Sequence, residues 1–310
     1  MTDGSTAPEG WFADVEPGDL HGAAGAIATG GAADPDDWPR LAVEAGFADS
    51  ESDYYDALRE ATIRATRRAV DERERADDRQ LIHAVRAMDD TERVANELAE
   101  RVAEWGGSRG IDAGDRGEDG GGTGADGHAH VNYARALADR DPDDPGGRRL
   151  VALAGRVDDL AHESERLRAH VERTAPEVAP NLAALAGPVL AARLIALAGG
   201  LEDLARMPSG TVQVLGAEDA LFAHLAGRAP SPKHGVIYVH EYVSGTDPDH
   251  RGSAARALAG KLTIAARVDH YAGDRRPELE AELDERIARI RGRSDGGDGD
   301  SGAADGGDGA

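Results

Sequence analysis

The chain has 310 residues, enough for two or three domains, with 30% charged and only 4% aromatic side chains. Its formal net charge is −24, and Lys233 and Lys261 are its only lysines; this composition marks a protein kept soluble in concentrated salt, where screening relieves self-repulsion. The absence of cysteine excludes disulfides and thiolate metal sites and gives secretion no support.

Acidity ordinarily weighs against nucleic acid as a partner. In molar salt that inference weakens, because counterion release largely fades and binding must rest on shape, stacking and protein partners. The opening MTDGSTAPEGW has no apolar core and is not expected to be a signal peptide.

Residues 11–51 carry sparse apolar anchors (Trp11, Phe12, Val15, Leu20, Ile27, Trp38, Leu41, Val43 and Phe47) and read as a small α/β unit. A proline-free helical region runs from Asp53 to Trp105, with Leu81, Val85, Met88, Thr91, Ala95, Leu98, Val102 and Trp105 forming one stripe. Residues 106–130 are Gly/Asp-rich and read as a disordered insert. A second helix follows DPDDPGG, with Leu150, Leu153, Val157, Leu160, Ser164, Leu167 and Val171 as the seam of a coiled coil. The two helices are expected to form an antiparallel hairpin, its first arm roughly 36 Å long at 1.5 Å per residue. The narrow seam leaves room for a second copy, which points to a homodimer. Residues 293–310 read as a solvated acidic tail.

The run from Asn181 to Gly200 is alanine-rich, contains Arg193 and is interrupted by Gly187-Pro188, so it reads as a buried helix and not a membrane span. Gly199-Gly200 is its stop and Met207–Gly210 a turn. Residues 212–225 read as a helix with Leu215, Ala217, Leu221, Phe222 and Leu225 inward; 235–243 are β-rich and read as an extended piece. The last helix of this region starts near Ser253, with Leu258, Leu262 and Ala265 inward and Ser253, Arg256, Gly260, Thr263 and Arg267 on one outer face. Between Pro230 and Arg276 seven Lys/Arg face five acids, a local positive island in an acidic chain.

The strings APNLAALAGPVLAARLIALAGGLEDLARMPSGTVQVLGAEDALF, KHGVIYVHEYV and ARALAGKLTIAARVD resemble, in order, the Nop-domain family. DRQLIHAVRAMDDTERVANELAERVAEW resembles that family's coiled-coil arm. The resemblance covers about Glu177 to Gly273, and the family includes the archaeal scaffold of the box C/D small ribonucleoprotein. It implies a mainly α protein. Residues 1–52 would be a small N-terminal α/β domain docking fibrillarin, its closing helix running to about 80. Residues 81–174 would be an antiparallel coiled-coil hairpin, 175–292 an α-helical Nop domain and 293–310 a tail.

The implied partners are a box C/D guide RNA, the ribosomal-type protein that binds its kink-turn, fibrillarin and a second copy of the chain, with no membrane. Fibrillarin would methylate a ribose 2′-hydroxyl with S-adenosylmethionine; this chain would be a cytoplasmic, non-catalytic scaffold without cofactor or metal. Two departures remove a cation from the surface that the resemblance turns towards RNA: Asp219 follows Gly-Ala-Glu, and Ser253 follows Arg251-Gly252. Trp105-Gly106-Gly107 also replaces the family's hinge sequence.

The RNA-binding candidates are Lys233, His234, His250, Arg251, Arg256, Lys261, Arg267 and the motif Gly216, Ala217, Glu218. Each has a plainer reading. Lys233 and His234 also suit a solvated loop, and His240 and Tyr242 either stack on a base or pack locally. His250 and Arg251 sit at a helix entrance that favours phosphate. Arg256 and Arg267 also suit surface ion pairs, Lys261 a stem lying on the core, and Gly216–Glu218 a close-packed turn. Gly122–Gly127 fits a nucleotide fingerprint only by letter, and His128/His130 and Asp141/Asp143/Asp144 lack the further ligands of a metal site. Two other readings remain: a Nop-domain RNA binder without fibrillarin, and a coiled-coil assembly protein with a degenerate RNA site.

Overall fold

The computed structural model describes residues 10–30, 36–111, 125–142 and 144–292. The acidic tail and the middle of the Gly/Asp insert lie outside these residues. The chain divides into two units, Met1–Ala76 and Asp77–Ala310.

In the first unit, α1 (Leu20–Thr29) starts at Asp19, whose carboxylate accepts the N–H groups of His21 and Gly22, both at 3.0 Å. Helices α2 (Trp38–Glu44) and α1 both pack on α3 (Glu51–Glu74). Phe12 and Tyr54 are buried in an aromatic cluster in which Phe12 stacks on Phe47 at 5.5 Å and Trp11 meets Phe47 edge-on at 5.1 Å. The expected α/β unit is corrected: its described residues contain no strand. Alanine and N-capping Asp and Ser favour helices here, and no β-branched run supplies a strand.

The second unit begins with α4 (Asp77–Ser108), so the proline-free region is two helices, parted at Arg75-Ala76. Asp77 and Asp78 open α4, where carboxylates complement the helix dipole. Its partner α6 (Pro145–Val178) runs antiparallel: Leu81 to Met88 share a core with Val171 and Ala175, and Ala99 and Val102 share another with Leu150, Ala154 and Val157. The arm is not a simple hairpin. Helix α5 (Ala125–Ala138) packs on both, adding Ala134 and Leu137 to the outer core. The expected insert at 106–130 is therefore corrected at both ends: α4 runs on to Ser108, and 125–130 open α5. The seam also shifts. Leu150, Val157, Ser164 and Val171 are buried, but Ala154 and Ala175 share their line, while Leu153, Leu160 and Leu167 lie half-buried beside it.

The rest of the unit is a helical core around α13 (Arg251–Tyr271), which packs on α7 (Pro180–Ala186), α9 (Leu201–Arg206), α10 (Ser209–Val214), α12 (Glu241–Ser244) and α14 (Glu278–Arg291). Buried alanines on most sides of α13 let these neighbours approach closely. Helix α8 (Pro188–Ala198) is bent by 116° from α7 at Gly187, and both are mostly buried. Among the described residues no single helix is long and apolar enough to cross a membrane. Bidentate Arg193–Asp89 (2.6 Å at the closest) and Arg86 Nη2 to the Ala196 carbonyl (3.1 Å) fasten α8 to α4.

Three further expectations change. Residues 212–225 are not one helix: Gly216, at φ +80°, parts α10 from α11 (Glu218–Leu225), so Phe222 and Leu225 are 64% and 72% exposed instead of inward. The extended piece at 235–243 is a 3-10 helix (Val236–Val239) followed by α12; its start pairs with the end of α10 through Gly235 N–H to Gln213 O and Val236 N–H to Leu215 O, both 2.8 Å. Thr263 is buried at 3% exposure, its hydroxyl donating to the Ala259 carbonyl, and does not belong to the outer face.

Candidate nucleic-acid interface

The start of α13 gathers part of the positive island. The Arg251 guanidinium donates to the carbonyls of Thr246 (3.0 Å) and Ser244 (3.3 Å) and lies 5.6 Å from the centre of the Tyr238 ring. His234 stacks on Tyr238 at 4.5 Å and 23°. The Lys233 side chain passes beside Gly252, and its carbonyl accepts from Gln213 Nε2 at 2.7 Å. Three flat groups and a lysine side chain are thus gathered beside the start of α13. Burial, then Arg251 and Lys233, push the His234 imidazole below its ordinary pKa. It presents an uncharged ring flanked by two cations at neutral pH.

His250 is in the same turn, with Nδ1 3.9 Å from Asp247. Arg256 is exposed about 7.5 Å further along the helix. Lys261 and Arg267 are elsewhere. The Lys261 ammonium pairs with Glu282 of α14, and Arg267 Nε donates to the Ala205 carbonyl at 2.9 Å, roughly 24 Å along α13 from Arg251. Gly216 N–H donates to Glu218 at 3.0 Å; Gly216 lines, with Tyr238, a groove of about 560 Å³, and Ala217 and Glu218 lead from it into α11.

His240 does not offer a free ring. Its Nε2 faces the Leu185 carbonyl at 3.0 Å and its Nδ1 accepts the Tyr242 N–H at 3.1 Å, which places the proton on Nε2. Burial chiefly holds its pKa down. The Tyr242 hydroxyl donates to Asp284 and is pushed up to about 12 by that bond. Tyr238 is the member of the cluster that sequence reading left unassigned. Its spacing of four from His234 is the signal, masked by the β-rich look of the segment.

The family model described as "Nop: snoRNA binding domain, fibrillarin" matches residues 134–290, half of the chain. The chain belongs to the Nop family. It is 48% identical over 142 residues to an uncharacterized NOP5 family protein of Methanocaldococcus jannaschii, covering 46% of this chain and 34% of that protein. It is 31% identical over 220 residues to Nucleolar protein 58 of Schizosaccharomyces pombe, covering 62% of this chain and 42% of that protein. The chain thus spans less than half the length of these relatives. A solved fibrillarin/Nop5p complex contains a chain with a TM-score of 0.50 at 21% identity, covering 86% of this chain and 91% of that one, which shows a shared fold. The matched span contains the whole cluster around Tyr238.

Proposed function

We propose that the chain is a non-catalytic scaffold of a box C/D ribonucleoprotein. It binds a kink-turn RNA already holding its ribosomal-type protein, and it positions fibrillarin for guide-directed 2′-O-methylation. The observation that carries this reading is the Lys233, His234, Tyr238 and Arg251 cluster, a cationic and aromatic surface inside the matched span of a chain with net charge −24. Flat groups and a few cations suit RNA binding in concentrated salt, where stacking outlasts phosphate attraction.

In this reading Lys233, His234, His250, Arg251 and Arg256 face RNA, with Gly216–Glu218 at the edge of the contact. The first unit, with its aromatic cluster, carries fibrillarin, and the α4–α6 arm joins two copies. S-adenosylmethionine belongs to fibrillarin, and this chain contributes no catalytic residue. The assembly works in the cytoplasm.

The test is a gel shift in molar KCl with a box C/D kink-turn RNA, with and without its kink-turn-binding protein. A supershift only on the preformed RNA–protein complex, followed by methylation once fibrillarin and S-adenosylmethionine are added, is the expected result. No shift in any combination would overturn the reading.

A further inference from the structure

The groove of about 560 Å³ has an apolar wall of Val85, Ala196, Leu197, Val236, Tyr238 and Val239. Leu197 is 46% exposed and Val239 62%, so the wall is open to solvent. Its rim includes Gly216 and Gly235, which bracket a single excursion of the chain, residues 217–234. Backbone bonds from Gly235 to Gln213 and from Val236 to Leu215 pin the two feet of that excursion together.

Within the excursion α11 buries none of its residues, yet it carries Leu221, Phe222 and Leu225. It closes itself off: Gly227 N–H bonds to His224 O at 2.8 Å, and Arg228 N–H to Ala223 O at 2.8 Å. An exposed apolar helix and an exposed apolar groove therefore share the same two feet. Gly216, at φ +80° and with Leu197 Cδ1 only 3.3 Å from where a Cβ would stand, is a joint that other residues would block.

We infer that α11 is a lid that closes on this groove, turning at Gly216 and through the prolyl segment 229–232 to seat Phe222 and Leu225 against Leu197, Val236 and Val239. Phe222 lies six residues beyond Gly216, roughly 9 Å along a helix, which is within reach of the groove wall. The tether makes closure intramolecular, at an effective concentration a second copy reaches only in the millimolar range. Closure removes two large apolar side chains and the groove wall from water together, and concentrated salt strengthens that gain. The inference does not depend on what the chain binds.

The chain has no cysteine, so introduced thiols report without background. In the full chain in molar KCl, with copper–phenanthroline and dissolved oxygen as the oxidant, Phe222→Cys with Leu197→Cys is expected to form an intramolecular disulfide, with two thiols lost, oxygen reduced and the oligomeric mass in solution unchanged. Separately, a Val239→Cys thiol is expected to be alkylated more slowly than in the same chain carrying Phe222→Ser and Leu225→Ser. A lid closed nine times in ten gives about a tenfold difference. Circular dichroism melts confirm that each variant is folded. Equal alkylation rates, or failure of the disulfide to form, would overturn the lid; a disulfide-linked dimer would overturn it in favour of docking onto a second copy.

Discussion

Asp269, near the end of α13, caps α7 from 88 residues away: its two carboxylate oxygens accept the N–H of Asn181 at 3.0 Å and of Leu182 at 2.8 Å. Asn181 is fully buried, and its side chain answers by donating to Asp269 (2.6 Å) and the Asp274 carbonyl (2.9 Å) and accepting from the Arg276 N–H (2.6 Å). Asn181→Ala leaves those groups without their partner and is expected to cost about 3 kcal/mol in urea unfolding at fixed salt. A loss well under 1 kcal/mol would contradict this network.

The register of the arm is open to a like-for-like comparison. Leu150 is fully buried and Leu160 only half-buried on the same helix. Leu150→Ala is expected to destabilise by about 3 kcal/mol and Leu160→Ala by about 1 kcal/mol or less. Equal losses in denaturant titrations would favour the leucine-only seam.

Gly106 of α4 stands where a Cβ would lie 2.0 Å from the Tyr133 hydroxyl oxygen. Gly106→Ala, normally a helix-stabilising change, is expected to cost about 2 kcal/mol here through overpacking. Tyr133→Phe removes the clashing oxygen and should recover about 1 kcal/mol of that loss in a double-mutant cycle.

Protonation of His240 should weaken the core. Its pKa is lowered by burial, with Arg291 adding to the effect and the Leu185 carbonyl and Glu241 opposing it. The folded state therefore favours the neutral ring, and its stabilising effect is complete above the unfolded pKa of about 6.5 and declines as pH falls below it. Geometry acts in the same direction, because a proton on Nδ1 would face the Tyr242 N–H. Stability is expected to fall between pH 7 and pH 5, and His240→Gln should flatten that fall.

Within the RNA reading, nearness to the start of α13 separates cations that contact the ligand from those that do not. Lys233→Ala and Arg256→Ala should each reduce the slope of log affinity against log salt by about 1. Lys261→Ala and Arg267→Ala, whose partners are Glu282 and the Ala205 carbonyl, should leave that slope unchanged.

The helices and their order were largely legible in the sequence, because apolar spacing and Gly or Pro punctuation are local signals. The seam was misread in part because Leu153 and Ala154 both fit a three–four repeat, and alanine hides the better-buried choice. The outward turn of α11 depends on the backbone angle at Gly216, which periodicity does not register. The pairing of Lys261 with Glu282 and of Arg267 with the Ala205 carbonyl was not legible, because those partners are distant in sequence. The Asn181–Asp269 link and the docking of α5 on the arm are likewise contacts between residues distant in sequence.

Helix α4 has its first turns in the core, held there by Asp89–Arg193 and by Arg86, and its last turns in the separate outer cluster with α5. One unbroken rod therefore forms a wall of the groove at one end and bears the arm at the other. It is a lever with a short inner and a long outer limb. From Met88 to Ser108 the outer limb is roughly 30 Å, so a tilt of about 10° at the root carries the far end about 5 Å. A side-chain adjustment around Arg193 that tilted the root would thus be magnified at the tip.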